Sequence, residues 1–454
     1  MATAAEDRLN IRRNPHIVWR ASDVQTPMID DKSLSPADRW LQSGSLLYFR
    51  DAILFACRSG KLQEALYSAG LEVYYWWCSL FRIRSRLIEF KSTHFWECCP
   101  EQPLDIADLA ATLRLRNFSV VESPIKWKFI TESANGTIFG TTHDRSSVLQ
   151  RGDNLWSTPT ELFDFRKPIF AIFISSSGHL FVATQGVVHL SKNGGRHFDA
   201  VLHLSHCDST VWHNHGIDET PQGLIVIGEY GSIVERNRAR SFWKSVAYLY
   251  VTRDDGESWR RIDYLARHCE SKHVHLVKYS RHFRRLVVTD GDKRKQSYWI
   301  APINEEWNFN EGRFDSFIWG GGHTAFAETS NGMLLGTDYR VAPNSIICLR
   351  STQNGSARML PSPYRRSCVL NMYSINDGAG SITFAYLNNL RDRRQSALIY
   401  SNDGADSWNR LIVFNGWDVD FSIANAQQGV DRSLVISFIN RTSRETRTII
   451  ISVI

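Results

Sequence analysis

Thr252, Asp254, Gly256 and Trp259 set the pattern Ser/Thr-x-Asp-x-Gly-x-x-Trp, and the pattern returns twice in this chain. Ser191, Asn193, Gly195 and Phe198 keep the spacing with conservative replacements. Ser401, Asp403, Ala405 and Trp408 keep it with Ala in place of Gly. Each copy follows a β-rich run, and each residue has a task in a tight turn between two strands. The Asp or Asn side chain accepts turn N–H groups, the hydroxyl bonds locally, Gly adopts angles that a Cβ opposes, and the aromatic ring covers the turn. A turn that recurs at one phase of a longer unit makes the unit itself a repeat, which points to β modules arranged as propeller blades.

That longer unit is legible from about Lys126 onward as a small turn followed by a short apolar strand. It occurs at Asn135–Gly140, Ser177–Val182, Gln222–Ile227, Arg285–Thr289, Asn331–Gly336, Ser381–Ala385 and Ser433–Ser437. Strand-like runs such as Phe170–Ile174, His275–Tyr279 and Thr324–Glu328 precede the turns and read as strand 1 of a blade; the run after the turn is strand 2. The Asp-containing turns then fall between strands 3 and 4. The expected fold is all-β, a β-propeller of four-stranded blades, with seven blades and with eight or six as alternatives. The last unit ends at Ile454 after about three strands, so an N-terminal strand is expected to close the ring, which removes sheet edges. His16–Arg20 is the candidate. Residues 1–21 thus read as an arm carrying the closing strand and residues 121–454 as the propeller. Residues 22–120 are ambiguous between a degenerate blade and other structure, with helical spacing over Leu104–Arg114.

Composition enters as a set of exclusions. With 43% apolar and 22% charged residues the chain is globular. A net charge of +6 without a basic module gives no case for nucleic acid and suits an anionic small molecule. The longest apolar run, Leu71–Phe81, falls far short of the ~20 residues that span a bilayer. The polar start from Met1 to Asn10 has no secretory character, so a cytoplasmic location is expected. The eight cysteines show no C-x-x-C pairing and are expected to be reduced and buried. P-loop, H-E-x-x-H and G-x-S-x-G signatures are absent.

In an up-and-down blade the start of strand 1 and the end of strand 2 share one rim of the ring, opposite the strand 3–4 turns. Three consecutive units open strand 1 with histidine, at His215, His275 (in His273-Val274-His275) and His323. The same units end strand 2 with acid: Glu229 beside Tyr230, Asp290 and Asp292 around Gly291, and Asp338. The near-equal spacing of His215 to Glu229, His275 to Asp290 and His323 to Asp338 says that these positions correspond. Converging imidazole and carboxylate groups have two uses. They hold a divalent metal (Zn, Mn or Ca), with His215, His273, His275, His323, Glu229, Asp292 and Asp338 as ligands. Or they separate a base from an acid for proton transfer, with His215, His275, His323, Glu229 and Tyr230 as the catalytic set. The structural alternative is that each histidine bonds its neighbouring blade and each acid caps a loop. Other units place cations near the equivalent point: Lys126, Lys167 and Arg366. The third unit carries an insertion, Arg236–Lys244, whose Arg238, Arg240 and Trp243 suit pairing with acidic groups and stacking on sugar rings.

The stretch from Trp212 to Asp338 resembles a group of bacterial BNR/Asp-box, sialidase-like propeller proteins. The shared elements are His215–Gly223, the Gly228–Gly231 turn, the Thr252–Trp259 box, His273–Val277, Thr289–Asp292 and Gly336–Asp338. The resemblance implies the propeller and no settled reaction. The Arg-Ile-Pro element of true sialidases has only Phe81–Arg84 as a counterpart, which lacks the Pro, so it does not imply sialidase activity. Propeller polysaccharide lyases are similar in architecture and site chemistry. The expected function is therefore a carbohydrate-active lyase or glycoside hydrolase on an acidic glycan or sugar. The alternative is a non-catalytic glycan- or protein-binding propeller.

Overall fold

A computed structural model describes residues 88–92, 95–96 and 118–453 apart from short internal stretches. The chain divides into two compact units, Met1–Gly70 and Leu71–Ile454, and the first lies outside the described residues. So do the candidate strand His16–Arg20 and the helical stretch Leu104–Arg114.

The second unit is an all-β ring of seven four-stranded antiparallel blades, a β-propeller. In order from the inner to the outer strand, the first blade is Trp127–Glu132, Ile138–Thr142, Val148–Gly152 and Thr160–Asp164. The second is Ala171–Ile174, Leu180–Thr184, Val187–Ser191 and Asp199–His203. The third is Ile217–Glu219, preceded by the short Thr210–Val211, then Ile225–Tyr230, Leu249–Thr252 and Arg260–Ile262. The fourth is His273–Ser280, Arg285–Gly291, Lys295–Ile300 and Arg313–Phe317. The fifth is His323–Thr329, Gly332–Thr337, Ser345–Leu349 and Gly355–Met359. The sixth is Ser367–Asn376, Ser381–Asn389, Ser396–Ser401 and Trp408–Phe414. The seventh takes Val419–Ile423, Ser433–Asn440 and Thr446–Val453 from the end of the chain and Phe118–Ser123 as its outer strand.

Closure by an N-terminal strand is therefore the architecture, but the strand is Phe118–Ser123 and not His16–Arg20. Phe118 pairs with Val453 and Ser123 with Thr448, and the Phe118 ring meets Phe384 and Tyr400 edge-on at 5.8 and 5.9 Å. An anchor of this kind buries an aromatic ring and satisfies a full row of backbone groups at once. Upstream residues take a different role. Ile88–Ser92 runs parallel to Gly355–Met359 and Phe95–Trp96 parallel to Trp408–Asn409, as fifth strands on the fifth and sixth blades. Within the described part of residues 22–120, these segments cover existing blades and add none.

Second strands are buried throughout, as in Leu180–Thr184, Ile225–Tyr230 and Gly332–Thr337, because each blade packs on a neighbour through both faces. The core is accordingly a series of clusters between blades. Trp127 and Ile130 pack with Ala424, Val435 and Ile450 where the first and seventh blades meet.

The three repeated turns share one hydrogen-bond pattern. Thr252 Oγ1 donates to Asp254 Oδ1 at 2.7 Å and accepts Gly256 N–H at 2.9 Å, and Asp254 Oδ1 accepts Ser258 N–H at 2.9 Å. The Ser191/Asn193 and Ser401/Asp403 copies repeat these bonds. Gly256 has φ +93°, and a Cβ there would lie 3.0 Å from Phe181 Cε1 and 3.1 Å from Leu190 Cδ2. Gly256→Ala is expected to cost about 1–2 kcal/mol, from the strained backbone and the crowded neighbouring blade, read as a lowered urea midpoint at unchanged slope. Among the described residues no helix is long and apolar enough to cross a membrane.

Candidate functional site

The rim opposite the repeated turns gathers aromatic and imidazole rings from the third and fourth blades. His273 opens the inner strand of the fourth blade, and His275 sits in that strand at a bulge: Val274 pairs with Asp290 and Leu276 with Thr289, leaving His275 as the extra residue. A bulge turns the extra side chain to the same side as a near neighbour, and here the two histidines meet. Their Nε2 atoms are 2.9 Å apart, while His273 Nδ1 is 2.6 Å from the Gly231 carbonyl. Tyr230, closing the second strand of the third blade, stacks on His273 with centroids 4.2 Å apart, and Trp212 lies 4.9 Å from Tyr230, 5.7 Å from His275 and 5.6 Å from His215. Two glycines form the floor: a Cβ on Gly291 or on Gly322 would come within 2.4 or 2.5 Å of His275 Nδ1.

This geometry assigns the protons. A carbonyl only accepts, so His273 Nδ1 carries hydrogen and, in the neutral ring, its Nε2 accepts. His275 must then donate from Nε2, which leaves Nδ1 as its basic nitrogen.

Strand pairing also shows which positions correspond. Gly228 N–H donates to the Gly216 carbonyl, Leu276 pairs with Thr289 and Ala325 with Gly336. His215 and His275 are thus equivalent, but their counterpart in the fifth blade is Thr324, and His323 corresponds to Val274. The frame inferred from spacing is one residue out in the fifth blade because its first turn, Thr329 to Gly332, is shorter than Ser280 to Arg285 in the fourth. One residue of slip reverses a strand's faces. His323 accordingly points toward the fourth blade, its Nδ1 2.8 Å from Ser297 Oγ.

The acids are also engaged elsewhere. Glu229 is buried and accepts from Ser205 N–H at 3.1 Å, Ser205 Oγ at 2.6 Å and Tyr250 Oη at 2.8 Å, tying the third blade to the preceding loop. Burial first, then the Glu229 charge, pushes the Tyr250 phenol far up. Asp290 Oδ1 accepts Gln296 N–H at 2.5 Å, and Asp338 Oδ1 accepts Gly322 N–H at 2.5 Å, which braces the glycine floor under His275. Asp292, Arg238 and Arg366 lie outside the described residues. Arg240 and Trp243 belong to a two-stranded hairpin, Val234–Asn237 with Arg240–Trp243, inserted between the second and third strands of the third blade on this same rim. Lys126 and Lys167 are exposed at the starts of the first and second blades. Among the described residues, a divalent ion finds no set of three donors around His273 and His275.

Four residues absent from the sequence-level set complete the axial region: Trp212, described above, His213, Lys128 and Lys278. His213 reaches from the third blade to the seventh, Nε2 3.1 Å from the Ala424 carbonyl, with its ring 4.0 Å from Phe129 of the first. Burial holds it down at about 3, with Lys278 and Lys128 adding to the effect and the Ala424 carbonyl opposing it. His215 is also held at about 3, by burial first and then by Lys278 and His213, and its ring nitrogens meet no hydrogen-bond partner of good geometry. Lys278 is buried, donates to the Ile217 carbonyl at 3.1 Å, and is depressed by burial against the pull of Asp218. Lys128 occupies the bulge of the first blade, between Trp127 and Phe129, and burial lowers it too. The Trp212-His213-Asn214-His215 run was the available signal for His213; nothing in the sequence marked the lysines.

No family model matches this chain, and no curated protein matches it, so neither comparison supports the resemblance to BNR/Asp-box propellers drawn from the motifs. Similar solved structures are propellers at low identity. A catalytically inactive virginiamycin B lyase from Staphylococcus aureus, with quinupristin, is 14% identical, covers 74% of this chain and 100% of its own, and has a TM-score of 0.47. An ancestral GH74 enzyme is 12% identical, covering 72% and 47%, with a TM-score of 0.42. A putative gluconolactonase is 10% identical, covering 65% and 94%, with a TM-score of 0.35. None of these likenesses bears on what the histidine cluster does.

Proposed function

We propose that the rim around His273 and His275 is a catalytic site for an acidic sugar or glycan, and that the reaction is a lyase elimination. The observation that carries this reading is the His273–His275 relay. His275 is the base once the floor of Gly291 and Gly322 that closes off its Nδ1 moves aside for substrate, and its Nε2–H···Nε2 bond to His273, backed by the Gly231 carbonyl, steadies the imidazolium formed when Nδ1 takes a proton. In a uronide the proton comes from the carbon beside the carboxylate; the electron pair forms a carbon–carbon double bond as the glycosidic oxygen on the next carbon leaves and takes up a proton from solvent. Lys126, Lys128 and Lys167 put positive charge on the same rim, where a substrate carboxylate needs it. Hydrolysis ordinarily uses a pair of carboxylates, and among the described residues of this rim Glu229, Asp290 and Asp338 are engaged in other bonds, which favours elimination. No step here runs through a metal.

Purified protein given uronide oligosaccharides is expected to generate unsaturated ends. His275→Gln is expected to lower kcat by roughly 10²–10⁴ with a smaller change in KM. Elemental analysis of the same preparation decides whether Zn, Mn or Ca accompanies the protein. A panel of uronides and sialosides that is neither turned over nor bound overturns the proposal. The deep burial of both rings favours a second reading, a non-catalytic binding propeller, and binding without turnover would select it.

A further inference from the structure

The loop from the second to the third blade holds a group of metal-ligating side chains that the catalytic proposal does not use. It leaves Asp199–His203, enters Thr210–Val211, and is pinned at both ends to the turn between the second and third strands of its own blade. Leu204 N–H donates to the Gly186 carbonyl at 2.9 Å, and Gly186 N–H donates to the Ser209 carbonyl at 2.8 Å. A Cβ on Gly186 would lie 2.8 Å from the Cys207 carbonyl oxygen, so the loop rests directly on this turn. Ser205 fastens it from the other side, through its N–H and hydroxyl on Glu229.

Between these anchors His206, Cys207 and Asp208 follow one another, with one donor atom of each within 4.8 Å of the others. Cys207 Sγ is 4.0 Å and Asp208 Oδ2 3.8 Å from His206 Nδ1. Around a tetrahedral ion with a metal–sulfur bond of about 2.3 Å and metal–nitrogen and metal–oxygen bonds of about 2.0 Å, such donors stand roughly 3.3–3.6 Å apart. The two separations from His206 exceed this by about half an ångström, and the Cys207–Asp208 pair, within 4.8 Å, by no more than roughly 1.3 Å, within reach of side-chain rotations of exposed groups. Asp208 is also held in orientation: Gln185 Nε2 donates to its Oδ1 at 2.8 Å, which leaves Oδ2 on the His206 side. A partner of this kind orients a ligand from outside the coordination sphere. Cys207 is exposed, whereas Cys348 and Cys368 are buried.

We propose that His206, Cys207 and Asp208 form a surface site for a borderline-soft divalent transition ion of the zinc class. Thiolate, imidazole and carboxylate together select such an ion over Mg²⁺ or Ca²⁺. Binding releases the Cys207 thiol proton to solvent and exchanges the Asp208 N–H···Nδ1 hydrogen bond of 3.0 Å for a metal–nitrogen bond. Three protein ligands leave the fourth position for water or for a side chain of a partner.

The test is cobalt(II) titration of the full-length, chelator-treated protein. A thiolate-to-cobalt charge-transfer band should appear, saturate at a single ion per chain and vanish when zinc is added. Cys207→Ala should abolish the band, and His206→Gln and Asp208→Asn should each weaken binding tenfold or more. Zinc should also slow alkylation of Cys207, read on its peptide by mass spectrometry. All three side chains lie at the surface or half-buried, so the variants should keep the far-UV circular dichroism of the parent. No cobalt band, or a band that persists in Cys207→Ala because other cysteines carry it, overturns the proposal.

Discussion

Between pH 7 and pH 5 the protein is expected to lose about 4 kcal/mol of folding stability through two buried histidines alone. His213 and His215 are each held at about 3 in the native ring against an ordinary value of 6.5. In this window the unfolded chain takes up a proton at each site and the folded chain does not. Stability is therefore full above the unfolded value near 6.5 and falls as pH drops toward the folded one, at up to about 1.4 kcal/mol per pH unit per group. His143, depressed to about 4 by burial and then by Lys128, acts in the same direction, as does His189. Urea midpoints at pH 7, 6 and 5 measure the slope. His213→Leu is expected to remove no more than about a third of it, roughly 2 kcal/mol, because the uncharged side chain contributes no proton uptake while His215, His143 and His189 still do. A midpoint that is flat from pH 7 to pH 5 would mean that these rings titrate normally and do not plug the axis as described.

Gly291→Ala is expected to cost about 3 kcal/mol, the upper end of overpacking. Its Cβ would stand 2.0 Å from His275 Cε1 and 2.4 Å from Nδ1, a gap that requires the imidazole to leave its place. The ring cannot retreat freely, since Gly322 lies at its back and His273 holds Nε2. A double-mutant cycle separates this cause from general strain. His275→Ala in the Gly291→Ala background should restore most of the lost stability, whereas two unrelated costs would add. If the proposed elimination takes place here, the single Gly291→Ala variant, where folded, should also lose it, since His275 no longer meets His273.

The repeat, the seven blades and the rim were legible because they depend on period and on turn chemistry, both of which are properties of short stretches. Thr252, Asp254 and Gly256 place their own turn with no help from distant residues. The equivalence of His215 and His275 was legible for the same reason. His323 was misplaced because a bulge and a shortened turn shift a strand by one residue without altering its apolar pattern. Glu229 was misread as a site group because its partners, Ser205 and Tyr250, come from a preceding loop and from the blade's third strand, and no local spacing announces them. The closing strand was sought at His16–Arg20, in the N-terminal arm, because nothing local marks Phe118–Ser123 for that place; the pairing with Thr448–Val453 distinguishes it. Lys128 and Lys278 carry no signal in the sequence, and the half-burial of the first and full burial of the second follow from inner-strand geometry that a one-dimensional pattern does not carry.

The composite seventh blade has a consequence for how the molecule comes into being. Glu122 and Arg447 form an ion pair across it although they stand 325 residues apart, and Ser437 Oγ donates to the Trp127 carbonyl over a comparable distance. The hairpins of six blades close locally, whereas Phe118–Ser123 finds its partner only across more than three hundred residues; the pairing of lowest sequence locality is the one that turns a row of blades into a ring, and the loop-closure cost of the whole molecule falls on it.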